Sequence, residues 1–517
     1  MYIRKVKNRS GSTSVIVAEK RKGQIHNIHP VGIGKSEAEI SSLVNVGREW
    51  ISANKHRDQL KLDIDGEYAA LKAQEIEQVE RFLSHIDNIL LNGCELILNR
   101  VFDTIGFDRI DDDILRKLVI SRLSYPSSKA ATVEYLKNHF DEDVSLSKIY
   151  RYLDKLNSTR QEQVQQISVE HTRNILGGMI GMLFYDVTTV YFESDNPDDL
   201  RKTGFSKEGR HQNPQIILGL LVSAGGYPLA YCIHEGNKYE GHTMMPVVKD
   251  FQAKYRLKDF VIVADSGLMN NQNIAQMEAE GYKYIIGSRI KNETAELRQQ
   301  ILSLDKVDGA IYELLKDGKR LLIGYSDGRA KKDVYNRDKG VRRLEKMYQS
   351  GRLNKKNINR RGYNKFLKVE GNTTVEINRE MIEQDAVWDG LKGYLTNTTL
   401  PSKDVLEAYH NLWNVEHAFR IAKSKIEVRP MFHFTKKRIE AHICICFVAL
   451  KVYKELDRLL KQNHIGLSVD KVIKLAKTVT TISVYLPQNR EHLTQTMLLK
   501  RHKPIELLFN ENFWGMQ

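Results

Sequence analysis

Three carboxylates in this chain stand where phosphate chemistry could use them. Asp186 lies in "GMLFYDVTTVYFES", whose alternation predicts a strand. It shares a face with Phe184, Thr188 and Val190, so a charge points into an otherwise apolar side and needs a partner. Asp265 follows the apolar run "FVIVA", at the C-terminal end of a buried strand, where ligands of α/β sheets collect. Capping of the following turn is the plainer use of such an Asp. Glu416 lies in "YHNLWNVEHAFRIAKSKIEVRP", where Leu412, Val415, Phe419, Ala422 and Ile426 predict one amphipathic helix running from Tyr409 until Pro430 ends it. A second seam passes through Tyr409, Trp413, Glu416, Arg420 and Lys423. An i,i+4 pair with Arg420 is the ordinary fate of this Glu. Taken together, the acids offer the all-oxygen ligands that hard cations such as Mg²⁺ or Mn²⁺ prefer. Two Asp and a Glu on adjoining elements can hold two such ions about 3.5–4 Å apart, one activating a water or sugar hydroxyl and the other stabilising the leaving oxygen.

The partner of such a site is indicated by charge. Of the chain's net +14, a net +12 falls between Arg329 and Lys368, where fifteen Lys or Arg face three acids. Lys331, Lys332, Arg342, Arg343, Lys355, Lys356, Arg360 and Arg361 are the candidate phosphate contacts, with Tyr335, Tyr348 and Tyr363 interleaved for stacking. Trp413 invites the same use, against the ordinary role of an aromatic at a core margin.

A chain of 517 residues, 41% of them hydrophobic, can bury a large core and is expected to form several domains. No apolar run is long enough to span a bilayer and the N-terminus carries no signal-peptide core, so a cytosolic protein without membrane contact is expected. Four cysteines make no disulfide framework. His442, Cys444 and Cys446 sit in the apolar run "AHICICFVALKVY" and read as core packing in preference to a zinc site.

The elements that must position the acids read as an α/β fold. Residues 1–35 form a small β-rich segment, and 36–175 a helical region with DNA-binding character. There "SSKAATVEYLKNHF" and "SLSKIYRYLDKLN" form two short helices, Ser145 capping the second; Lys148, Tyr150, Arg151 and Lys155 would face DNA if the pair is a helix-turn-helix instead of a plain hairpin. Strand and helix alternation over 176–289 begins a catalytic core, with a hairpin at Ala224-Gly225-Gly226. The core resumes at 389–450 after the basic segment 290–388, and a helical tail over 451–517 follows.

The set Asp186, Asp265 and Glu416, separated by 79 and 151 residues, resembles the acidic triad of DDE insertion-sequence transposases. Tyr409, Glu416 and Lys423 fall on that family's Tyr-x2-Arg-x3-Glu-x6-Lys signature, with Leu412 at the Arg position. "WDGLKGYLTNT" resembles the strand before its Glu helix, and "HEGNKYEGHT" its Gly-Asn segment. The resemblance spans about 180 to 450. It implies a ribonuclease-H-like core of mixed sheet, interrupted by a β-rich insertion at 290–388. It implies an enzyme that binds terminal inverted repeats, cuts DNA with two Mg²⁺ or Mn²⁺ held by the three acids, and joins 3′-OH ends to target DNA without a nucleotide cofactor. Tyr409, Lys423 and Arg420 would then hold the end phosphates and Trp413 would stack on a base. A homodimer in the active complex and a prokaryotic, nucleoid-associated setting are further implications. A phosphatase is disfavoured, because Thr188 stands where its second Asp belongs. A structure-specific nuclease without strand transfer and a non-catalytic DNA-binding descendant are the alternatives.

Overall fold

The computed structural model describes residues 1–515 apart from 60–66, 157, 195, 207–208, 240, 242, 269–270, 354–361, 371–373, 430 and 489. They form two compact units, Met1–Ile89 with Ile482–Gln495, and Leu90–Thr481 with Thr496–Gln517.

In the first unit β1 (Tyr2–Lys7), β2 (Thr13–Arg21) and β3 (Gln24–Gly34) make an antiparallel sheet. Alternation along β2 buries Val15 and Val17 on the side where helix α1 (Glu37–Gln59) packs. Helix α2 (Glu67–Ser84) and β4 (Ile86–Leu90) follow. In a second sheet Thr480–Leu486 lies between β4 and Glu491–Met497. These two strands interrupt the helical tail expected over 451–517, whose other elements are helical. "TTISVYL" is rich in β-branched residues, which lose little by being extended and pack well on a pleat.

The second unit opens with five helices, α3 (Gly93–Ile105), α4 (Asp113–Ser124), α5 (Lys129–Phe140), α6 (Leu146–Lys155) and α7 (Ser158–Ile175). Asp112, Ser128 and Ser145 cap α4, α5 and α6 by accepting from backbone N–H groups of the first turn, as expected for Ser145. The chain then lays down β5 (Met182–Tyr191), β6 (Gln215–Ser223), β7 (Pro228–Glu235), α8 (Met244–Tyr255), β8 (Val261–Ala264), α9 (Asn271–Ala279), β9 (Lys283–Ser288), α10 (Ala295–Leu302), β10 (Ile311–Lys316) and β11 (Lys319–Tyr325). After α11 (Asp327–Gln349), the hairpin of β12 (Leu367–Glu370) and β13 (Thr374–Ile377), and α12 (Arg379–Ala386), β14 (Leu391–Thr396) returns to the sheet. Helices α13 (Ser402–His410), α14 (Trp413–Ser424), α15 (Lys436–Gln462) and α16 (Val469–Ala476) complete the layer.

Eight strands form one mixed sheet in the order β10-β11-β14-β9-β8-β5-β6-β7. Only β5–β8 and β8–β9 are parallel among its neighbours. Period-2 alternation sends Leu183, Tyr185, Val187, Ile262 and Ile286 to a core shared with α8, α9 and α10. Phe184, Val190, Val263 and Ile285 enter the opposite core with α13, α14 and α15. Asp186 therefore stands on the face that α13 to α15 cover. Helix α15 is buried without a break from Ala441 to Val452, with α3, α4, α6, α7 and α14 packed about it. His442, Cys444 and Cys446 are buried on it. No described helix is long and apolar enough to cross a membrane.

Residues 290–388 do not form the β-rich block expected. Strands β10 and β11 join the main sheet, and most of the basic segment is the 23-residue helix α11. Val341 and Leu344 of α11 close a small separate core with Phe366, Leu367 and Val375. The apolar residues of α11 are few and far apart among the charges, which hid its helical period.

Candidate active site

β5 and β8 run parallel in a register that sets the two aspartates on neighbouring strands. Tyr185 pairs with Ala264, so Asp186 and Asp265 are the next residues on neighbouring strands. Adjacent strands lie about 4.8 Å apart, a spacing at which two carboxylates can share one ligand. Asp186 is half-buried, whereas Asp265 has left the strand and is exposed. The side chain of Asp265 does not cap the turn after it: its Oδ1 accepts a hydrogen bond of 2.9 Å from Tyr409 Oη.

Tyr409 reaches that carboxylate over a gap in the sheet. A Cβ at Gly287 of β9 would stand 2.5 Å from Tyr409 Oη, so the missing side chain makes room for the phenol. The ring is buried, 4.9 Å edge-on from Tyr394. Burial first, and then Asp265, push the Tyr409 hydroxyl far above its usual pKa, so it stays protonated and donates.

Tyr409 and Glu416 do not share one helix, contrary to the expectation from their spacing. α13 ends at His410 and α14 starts at Trp413; between them Leu412, Asn414 and Val415 donate to carbonyls three residues back. This tightened turn lets Leu412 and Val415 both enter the core while rotating Tyr409 onto Asp265. α14 ends at Ser424, with Ile426 and Val428 folding back onto Ile421 and Ala422; Pro430 lies outside the described residues. Glu416 occupies the exposed first turn of α14 and makes no ion pair with Arg420 among the described residues. Trp413 is 52% exposed and so does not fill the core margin. Arg420 is exposed and Lys423 half-buried, while Leu412 is buried.

Lys392 of β14, not anticipated from the sequence, stands between these groups. Its Nζ lies 4.3 Å from the centre of the Tyr409 ring. Burial, and then Arg329, lower its pKa, against the pull of Asp265 and Glu416. The signal was present in "LKGYLT", a lysine in an otherwise apolar strand. Lys392 and Tyr394 open onto a groove of about 590 Å³ that Arg329, Lys403, His410 and Tyr325 also line. From it α11 carries the basic run: Lys331, Lys332, Arg342 and Arg343 are exposed. Tyr335, Lys339 and Lys346 share a surface hollow with Arg342 and Arg343. Lys355, Lys356, Arg360 and Arg361 lie outside the described residues. One cation of the run is structural, since Arg337 is buried in a two-bonded pair with Asp389 at 2.6 Å.

The donor set fits a hard divalent cation. Mg²⁺ is commonly held by one or two carboxylates with waters and phosphate oxygens, which an aspartate pair at a sheet end supplies. Among the described residues no three His, Cys, Asp or Glu side chains close into a metal-holding group.

A family model described as Transposase DDE domain matches residues 180–451. No curated protein matches the chain. Among solved structures, a chain of the piggyBac transposase synaptic complex with hairpin DNA is similar at a TM-score of 0.39 and 9% identity, over 74% of this chain and 76% of that one.

Proposed function

The chain belongs to the family of transposases with a DDE domain, and from that premise we propose that it cuts phosphodiester bonds at the ends of an insertion sequence and joins the freed 3′-OH ends to target DNA. The observation that carries the proposal is the placement of Asp186 beside Asp265 in the parallel register of β5 and β8, on the face covered by α13 and α14. In this reading the mixed sheet, β10 and β11 included, is a ribonuclease-H-like core. Asp186, Asp265 and Glu416 would hold Mg²⁺ or Mn²⁺, which when bound supply a Lewis acid for the attacking and leaving oxygens.

The chain's own residues do the rest. Tyr409 fixes the orientation of Asp265 through its hydroxyl. Leu412, at the Arg position of the Tyr-x2-Arg-x3-Glu-x6-Lys signature, is buried and offers DNA nothing. Arg420 on the exposed side of α14 and Lys392 in the groove are placed to take over a phosphate contact, beside Lys423. Trp413 presents an open ring to an unpaired base. The exposed face of α11 binds double-stranded DNA without reading it. Concerted cutting of two ends calls for a homodimer.

The test supplies purified protein, Mg²⁺ and a 3′-OH oligonucleotide carrying the inverted repeat that brackets the reading frame. Joining of the oligonucleotide to plasmid is expected. Hydrolysis without joining would make the protein a nuclease, and binding without either would make it a non-catalytic DNA binder. Removing the charges of Lys331, Lys332, Lys339, Arg342, Arg343 and Lys346 should weaken binding and lower the slope of log K against log[salt] by about 0.9 for each DNA phosphate that is no longer neutralised.

A further inference from the structure

Away from the acids, α4, α5, α6, α15 and the segment before α15 form an open pocket of about 200 Å³ lined by Arg122, Ser128, Lys129, Tyr150, His433 and His442. Arg122 and Lys129 are 8% and 6% exposed, yet neither makes a hydrogen bond or ion pair with any described residue. A buried cation without a counter-charge is costly, and proteins normally pair it. The cavity adds neutral donors. His442 leaves Nδ1 buried without a partner among the described residues, and its ring lies 5.2 Å from that of His433. Ser128, which caps the 12-residue helix α5, and Lys129 in its first turn line the same space, and the first N–H groups of a helix favour an anion. One acid, Glu427, also lines the cavity, and Arg438 stacks on Tyr150 at its rim.

We infer that this cavity is a phosphate-binding site, in which Arg122 and Lys129 pair with the oxyanion and α5, His433 and His442 donate to its remaining oxygens. The electrostatics agree: burial first, and then Arg122, bring Lys129 down to about 7, and burial with Lys129 and Arg122 brings His433 to about 4. Phosphate would satisfy the cations that the described chain leaves unpaired. Its source is either a free phosphate compound or a backbone phosphate of DNA lying along α6, whose Lys148 and Arg151 are exposed beside Tyr150.

The experiment follows the Tm of the full chain against sodium phosphate, with sodium chloride at matched ionic strength as reference, for wild type and Lys129→Met. Wild type should gain Tm with phosphate and saturate. Lys129→Met, which removes a cation but little volume, should bind phosphate about tenfold more weakly or worse. Its Tm without phosphate should not fall, since an unpaired buried charge has gone. DNA binding by the same variant then separates the sources. A salt slope reduced by about one assigns the site to a backbone phosphate, and an unchanged slope assigns it to a free phosphate compound. Calorimetric titration of phosphate into wild type keeps the test decisive should the variant not fold. No saturable effect beyond chloride, or equal affinity in wild type and variant, overturns the site. The phosphate arm does not depend on the transposase reading.

Discussion

Glu455 and Glu416 lie on consecutive helices and are treated in opposite ways. Glu455, fully buried on α15, takes two hydrogen bonds from Arg458 at 2.6 and 2.9 Å and a contact from His171 Nε2 at 3.5 Å. Burial alone would raise its pKa, but His171 and Arg458 outweigh it and hold the carboxyl at about 2. Glu416, exposed on α14, has no such closure among the described residues, and Asp265 is held by a neutral phenol. A carboxylate that serves the fold is closed by its own cation. Around Asp265 a neighbouring cation, Lys392, is instead set over the Tyr409 ring.

This contrast predicts a split between activity and stability. Asp186→Asn, Asp265→Asn and Glu416→Gln should each lower Mg²⁺-dependent cleavage by on the order of 10³-fold or more. Their urea midpoints and DNA affinity should stay near wild type. A midpoint falling in step with activity would mean that these acids serve the fold as Glu455 does.

Next in size is Arg458→Met, which strands a buried charge and should cost roughly 3–5 kcal/mol without touching the chemistry. The pH dependence has a definite sign. Glu455 has a folded pKa below its unfolded value, so its stabilisation is complete above the ordinary carboxylate range and is lost as pH falls toward about 2. Urea melts at pH 7 and pH 3 should show this loss in wild type and a flatter profile in Arg458→Met.

Gly287→Ala tests the gap in the sheet. Its Cβ would displace the Tyr409 hydroxyl, and the strain should cost about 1–3 kcal/mol together with much of the cleavage rate. Tyr409→Phe is the milder probe. It keeps the ring and removes only the bond to Asp265, worth about 1 kcal/mol net. A larger effect on kcat than on KM would identify Tyr409 as a positioning residue for Asp265. Equal losses in Tyr409→Phe and Gly287→Ala would show that the hydrogen bond, and not the packing of the ring, is what the glycine protects.

The local patterns that proved legible were those carried by period and end signals. Alternation in "MLFYDVTTVY" set Asp186 on the face that packs against helices, "VIVA" gave the strand before Asp265, and Ser145 marked a helix start. What escaped depended on residues far apart in the chain. The break at Asn411-Leu412 uses backbone angles any helix tolerates, so the apolar stripe ran through it unmarked. The bond from Tyr409 to Asp265 spans 144 residues and requires a glycine on a further element, β9. Lys392 could be seen as a misplaced charge, but its neighbours were fixed only by the order β14-β9-β8. In α11 the apolar period was too sparse to show through the charge.

The central claim is that Asp186, Asp265 and Glu416 act as one unit, and cleavage of the element's end by single and double variants tests it directly. If they do, each single substitution brings Mg²⁺-dependent cleavage to background, and Asp186→Asn combined with Glu416→Gln falls no further, because the first loss already disables the unit. Cleavage at the wild-type rate by Glu416→Gln, or losses that multiply in the double variant, would contradict it.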